Sequence, residues 1–213
     1  MKRKPFLSLG LFLLSFFGVI SCVRAKNPEI KIINNDSDMN AEKKVLVVFF
    51  SHTGENYAVG HIEKGNTHII AEMIADETGG KLFEIVPEKA YPAAYNECID
   101  VAKKEQAAQA RPAVKGDVDV ENYDVIFLGY PNWWGDMPMP VYTFLEKHDW
   151  AGKTVIPFCT HEGSGLSGTE KRVAGVCKGA AVGKGLAVKG TTAQHSGDQA
   201  RKSVVSWLER LND

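Results

Sequence analysis

Five short apolar runs alternate with longer amphipathic stretches between Val45 and Leu211, and this alternation leaves few folds open to the chain. Val45 to Phe50 (VLVVFF) is β-branched and aromatic throughout, the pattern of a strand covered on both faces. Tyr123 to Tyr130 (YDVIFLGY) and Thr154 to Thr160 (TVIPFCT) are of the same kind, with Pro157 predicting a bulge in the latter. Lys81 to Val86 is a shorter strand closed by Pro87, and Ala180 to Lys189 is the weakest, interrupted by Gly183 and Gly185. Thr67 to Thr78 places Ile69, Ile70, Met73 and Ile74 at helical spacing and stops at Gly79-Gly80. Tyr95 to Ala110, Val141 to Lys147, Ser167 to Val176 and Gly197 to Leu211 read as further helices. The pattern predicts an α/β fold, a doubly wound five-stranded parallel sheet with helices on both faces and right-handed crossovers.

Residues 1–43 do not share this pattern. Met1-Lys2-Arg3-Lys4 is basic, Phe6 to Ile20 is uncharged and apolar, and polar sequence follows. That order predicts a cleaved export signal over 1–21 rather than a membrane span. Ser21 directly before Cys22 resembles the lipobox of bacterial lipoproteins, in which the cysteine is lipidated and becomes the mature N-terminus. An exported lipoprotein of the cell envelope, held to a membrane through Cys22, is the expectation; an ordinary signal peptide with Cys22 incidental is the alternative. Residues 22–43 are polar and aperiodic, which predicts a flexible tether or merely a frayed terminus, and 44–213 forms the folded domain.

A formal net charge of -1, with no stripe of Lys and Arg, gives no electrostatic reason for a nucleic-acid partner. The four cysteines show no spacing that suggests zinc. Cys159 sits in an apolar run as a small buried hydrophobe, and a Cys98–Cys177 disulfide would be compatible with export.

In open doubly wound sheets ligands bind at the carboxyl ends of strands beside a switch in strand order. Three strand ends carry unusual chemistry. Ser51-His52-Thr53-Gly54-Glu55-Asn56 offers hydroxyls and backbone N–H groups, with no Lys or Arg before Lys64. Neutral donors near a helix N-terminus suit an anion, and the missing G-K-[ST] and GxGxxG exclude a P-loop and weaken a dinucleotide reading. One phosphate monoester fits best. Pro131-Asn132-Trp133-Trp134-Gly135 offers a face for a planar ring, unless both tryptophans simply pack beneath Pro138 to Pro140. Thr160-His161-Glu162-Gly163-Ser164-Gly165 offers flexible backbone that can approach a ring edge. Phosphate pocket, aromatic plate and glycine-rich clamp together describe a flavin mononucleotide (FMN) site.

The motifs VFFSHTG with GNT, LGYPNWWGDMPMP and CTHEGSG resemble the flavodoxin family, in particular its exported bacterial members, from Val45 to the C-terminus. The resemblance implies a sheet of order 2-1-3-4-5 and tight, non-covalent FMN. It places Ser51, Thr53 and Gly54, with His52 among them, in the phosphate loop. The family pattern is then broken, because Glu55 to Lys64 intervene before Gly65-Asn66-Thr67. One reading is a single cradle split by an insertion, with Asn66 and Thr67 capping the helix and closing the pocket. The other keeps Asn56 as the ligand and makes Gly65-Asn66-Thr67 a plain helix cap. In both, Tyr57, His61 and Lys64 form a lid that the family does not predict. The resemblance further implies ring contacts from Pro131, Asn132, Trp133, Trp134 and Gly135, and from Thr160, His161, Gly163, Ser164 and Gly165. Many flavodoxins carry a tyrosine in the last segment and this chain does not, so His161 is either the candidate for the other face or a solvent-exposed loop histidine.

FMN-dependent electron transfer, with an unidentified redox partner, is the function this reading favours. The weak net charge departs from the acidity usual in electron-carrying members. An FMN-dependent NAD(P)H:quinone-type oxidoreductase is the alternative, and a domain that has lost flavin and binds something else is a third. The sole acid–base candidate at a strand end is His161-Glu162.

Overall fold

The computed structural model describes residues 43–212. The signal segment, Cys22 and the tether before Lys43 lie outside the described residues. Along the chain the elements are β1 (Val45–Phe49), β2 (Gly54–Asn56), β3 (Gly60–Ile62), α1 (Asn66–Thr78), β4 (Lys81–Glu84), β5 (Val86–Pro87), α2 (Tyr95–Ala107) and β6 (Val114–Lys115). They continue with β7 (Val125–Pro131), α3 (Met139–Leu145), β8 (Thr154–His161), α4 (Thr169–Val176), β9 (Ala181–Val182), β10 (Leu186–Lys189), α5 (Gly190–His195) and α6 (Gly197–Asn212). The main sheet is parallel, in the order β4-β1-β7-β8-β10, with β9 paired to the start of β8 on the same edge. Counted over the five anticipated strands, this is the 2-1-3-4-5 order.

The sheet is buried on both sides because alternate residues of its central strands feed two separate cores. Leu46, Val48, Ile126, Leu128, Val155 and Cys159 face α3 and α4, where Val141, Leu145 and Val173 meet them. Val47, Phe49, Val125, Phe127, Ile156 and Phe158 face the other way, onto Ile70 and Ile74 of α1 and Val204, Trp207 and Leu208 of α6.

Pro157 makes no bulge. It stays in register with Leu128 of β7, and the irregularity falls on the opposite neighbour. Ala181 N–H donates to Lys153 O at 2.8 Å and Gly183 N–H to Val155 O at 2.9 Å. Two residues further along β8 the matching donor would be the N–H that Pro157 lacks. There the partner strand breaks at Gly183-Lys184-Gly185 and resumes as β10 against Phe158. The single last strand anticipated over 180–189 is therefore two.

Two antiparallel pairs were not anticipated, β2 with β3 and β5 with β6. Cys98 and Cys177 are not bonded. Both are free and buried, as is Cys159, and burial pushes their thiols up to about 11, 12 and 12 respectively. Among the described residues no helix is long and apolar enough to cross a membrane.

Candidate functional site

The segment after β1 and the start of α1 are pressed together. A Cβ on Gly65 would stand 2.1 Å from Ser51 Oγ and 2.7 Å from the His52 carbonyl oxygen, so only glycine allows this approach. His68 N–H donates to Ser51 Oγ at 3.1 Å. The chain leaves and returns through the β2–β3 hairpin. Its base is fixed where Gly54, at φ +86°, packs on Ala93 and Glu55 N–H donates to Ala93 O at 2.8 Å.

Gly65 is the N-cap of α1 and has no side chain to cap with, so the Ser51 hydroxyl takes the His68 N–H from outside the helix. Asn66 and Thr67 are its first two residues, so within Gly65-Asn66-Thr67 the cap position falls to the glycine. With His68 N–H taken by Ser51, the N–H groups of Asn66 and Thr67 are those the first turn leaves for an anion. Thr67 is buried, its hydroxyl 2.7 Å from that of Thr160. Asn66 Oδ1 accepts from Gln194 Nε2 at 2.8 Å, which fixes the amide at the end of α1. Asn56 Nδ2 donates to Gly54 O at 3.1 Å and lies 3.4 Å from His52 Nδ1. His52 Nε2 is 3.1 Å from Pro92 O, and the acceptor there makes Nε2 the protonated nitrogen. Burial lowers the His52 pKa and keeps this ring neutral.

The tryptophan loop is a tight turn. Trp133 and Asp136 exchange N–H···O bonds of 2.9 and 3.0 Å around Trp134 and Gly135, at φ +55° and +75°. Two positive φ values define a type I′ turn, where asparagine and glycine are usual and a tryptophan is strained. The two indoles differ in role. Trp133 packs against the core, its ring centroid 5.3 Å from Phe50, 5.0 Å from Tyr91 and 5.7 Å from His52 at steep angles. Trp134 is 49% exposed, donates from Nε1 to Ile99 O at 3.1 Å, and has Lys103 Nζ 4.9 Å from its ring centroid. Asn132 joins this loop to the third, accepting from Gly135 N–H at 3.0 Å and donating to Gly165 O and Ser167 Oγ at 2.7 and 2.8 Å.

In the third loop His161 Nδ1 accepts from Gly163 N–H at 2.8 Å, and burial lowers its pKa against the opposing pull of Glu162. The Glu162 carboxylate accepts from Thr191 N–H at 2.6 Å and lies 3.2 Å from Thr191 Oγ1, at the start of α5. Each half of the anticipated acid–base pair therefore has its own separate partner.

These segments enclose a cleft of about 350 Å³ at the carboxyl ends of β7 and β8, within the roughly 300–1,000 Å³ range of small-molecule sites. Of the residues anticipated from sequence, Asn56, Asn66, Pro131, Asn132, Trp133, Trp134, Thr160, His161 and Ser164 line it. Ser51, His52 and Thr53 line a neighbouring hollow with Glu84 and Lys115. Gly54 sits at the hairpin base, Thr67 behind Thr160, and Gly135, Gly163 and Gly165 in the turns, the last two at φ +130° and +60°. Tyr95, Ile99 and Ala102, not anticipated there, also line the cleft, as does Glu162, anticipated only as half of an acid–base pair. The first three follow one face of α2 at spacings of four and three, a signal legible in the sequence whose target is not. Of the anticipated lid, Tyr57 reaches the cleft; His61 pairs with Glu55 and Glu63, and Lys64 with Glu72.

The chain matches the family model described as Flavodoxin over residues 44–211. A search of curated protein sequences finds no match. Similar solved structures include a proposed flavoprotein from Bacteroides eggerthii DSM 20697, 28% identical with a TM-score of 0.64, covering 80% of this chain and 99% of that one. A proposed flavoprotein from Bacteroides uniformis ATCC 8492 is 32% identical, with a TM-score of 0.63 and coverage of 78% and 98%. A flavoprotein from Lactobacillus acidophilus NCFM, solved in complex with FMN, is 25% identical with a TM-score of 0.54, covering 70% of this chain and 95% of that one.

Proposed function

Because the chain belongs to the flavodoxin family, we propose that its domain holds FMN in the cleft between the β1, β7 and β8 loops and serves electron transfer. The observation that carries this reading is one continuous site. The start of α1, glycine-capped and with Asn66 at the cleft, stands at one end, an exposed indole at the other, and no Lys or Arg lines the cleft between them. The α1 N-terminus and Asn66 would hold the phosphate with neutral donors. Trp134 would present a ring face, and Asn132, tied to both ring loops, would keep them at a fixed separation. FMN, when bound, supplies the redox chemistry, and the protein supplies position and access. The Lactobacillus flavoprotein solved with FMN supports the choice of cofactor.

Transfer between partners is favoured over turnover of a substrate because neither His161 Nδ1 nor the Glu162 carboxylate is free to act as a couple. The hairpin beside the cleft favours the second reading, an FMN-dependent NAD(P)H:quinone-type oxidoreductase, since it could enclose a small acceptor. NADH oxidation by the FMN-loaded protein with a quinone present separates the two. The carrier reading predicts a rate no greater than that of free FMN, and a rate well above it would replace that reading with the second.

Export belongs to the same proposal. Residues 1–21 would be removed and Cys22 acylated, which holds the domain at a membrane surface. Labelled fatty acid incorporated by the parent protein and lost in Cys22→Ala is the expected result; equal labelling of both overturns it.

A further inference from the structure

We infer that Tyr57, at the tip of the β2–β3 hairpin, is a cofactor-contact residue that covers the planar ring bound in the cleft, the aromatic part that the third loop lacks. The inference rests on the FMN reading above. The third loop holds no aromatic side chain except His161, whose Nδ1 is engaged by Gly163. At the second loop, Trp133 is engaged with three other rings, and the Lys103 ammonium stands over the Trp134 ring. These two loops therefore leave the ligand one free aromatic face, that of Trp134.

Tyr57 adds to it from another element. It is 65% exposed, yet it lines the same cleft as Trp134. Its ring lies 6.2 Å from that of Tyr95, tilted by 31°, on the first turn of α2. One turn further along α2, Ile99 receives the Trp134 indole N–H, so Tyr57, Tyr95 and Trp134 form an aromatic rim along this helix. The hairpin base is held at Ala93 and at the Ser51–Gly65 contact, whereas its tip turns through Ala58 at φ +66°. A non-glycine residue there costs about 1 kcal/mol, a cost tolerated where the turn must aim a neighbouring side chain. A large exposed aromatic on a firmly based tip has apolar area still to bury, and a planar ring in the cleft beneath it would cover that area.

The test compares the protein with Tyr57→Phe, Tyr57→Leu and Tyr57→Ala, each loaded with FMN, with far-UV circular dichroism confirming the fold. Tyr57→Phe should match the parent in iodide shielding and affinity, with bound flavin brighter because a phenyl ring, unlike a phenol, does not give up an electron to excited flavin. Tyr57→Leu should leave bound flavin brighter but still shielded from iodide, since bulk remains and the π face does not. Tyr57→Ala should leave it brighter and open to iodide, with an affinity loss of about three- to tenfold, the size of one aromatic contact. FMN equally dim and equally shielded in Tyr57→Ala overturns the inference while leaving the FMN site intact. A parent protein that takes up no FMN overturns both.

Discussion

Gly65 stands against Ser51 so closely that a methyl group on it would fall 2.1 Å from the serine hydroxyl oxygen. Its φ of -66° suits any residue, so glycine is required here by contact and not by backbone conformation. Gly65→Ala should force α1 away from the β1 loop, costing about 1–3 kcal/mol in urea unfolding and weakening FMN binding. Gly60→Ala is the contrast. At φ +70° with open space around it, Gly60 should lose about 1 kcal/mol to strain and leave the phosphate end unchanged.

Thr67 and Thr160 share a buried hydroxyl contact of 2.7 Å that ties α1 to β8 behind the cleft. Thr67→Val leaves the Thr160 hydroxyl without its partner and should cost about 1–3 kcal/mol. Adding Thr160→Val should recover part of that loss, since removing both partners is milder than orphaning one. Asn66→Ala should do the reverse, weakening FMN binding more than it lowers the urea midpoint, because Asn66 lines the cleft.

Trp134 holds a left-handed backbone that asparagine adopts more easily. Trp134→Asn relieves that strain but loses the Ile99 hydrogen bond and the Lys103 contact, so stability should change by less than about 1 kcal/mol. FMN affinity should fall about three- to tenfold, and bound-flavin fluorescence should rise. Equal affinity would show that the indole does not meet the ring.

Burial holds the His52 imidazole below its ordinary value of 6.5. As pH falls through that value the unfolded chain takes up a proton that the folded one refuses, so stability should decline below pH 6.5 until the folded ring also titrates. His161, lowered by burial in the same direction, adds to the slope. His52→Gln should flatten the fall in urea midpoint between neutral and mildly acidic pH.

The parallel, doubly covered sheet was legible because unbroken apolar runs such as Val45–Phe49 and Val125–Tyr130 can sit only where both faces are covered, whereas the strand order came from the family resemblance alone. The site was legible at its strand ends, where Asn132, Trp133, Trp134, Thr160 and His161 do converge on one cleft. What escaped depends on long-range placement. Nothing local tells that Tyr95, Ile99 and Ala102 of α2 face that cleft, or that Thr67 meets Thr160 behind it. The split of the last strand is intermediate, since Pro157 and Gly183 show its cause only once their register is known.

Titrating the purified protein with FMN, followed by its visible spectrum and flavin fluorescence, tests the central claim most directly. The account predicts saturable uptake of about one FMN per chain at micromolar concentration, with quenched fluorescence. A protein with an intact far-UV spectrum that leaves FMN free and fully fluorescent would contradict it.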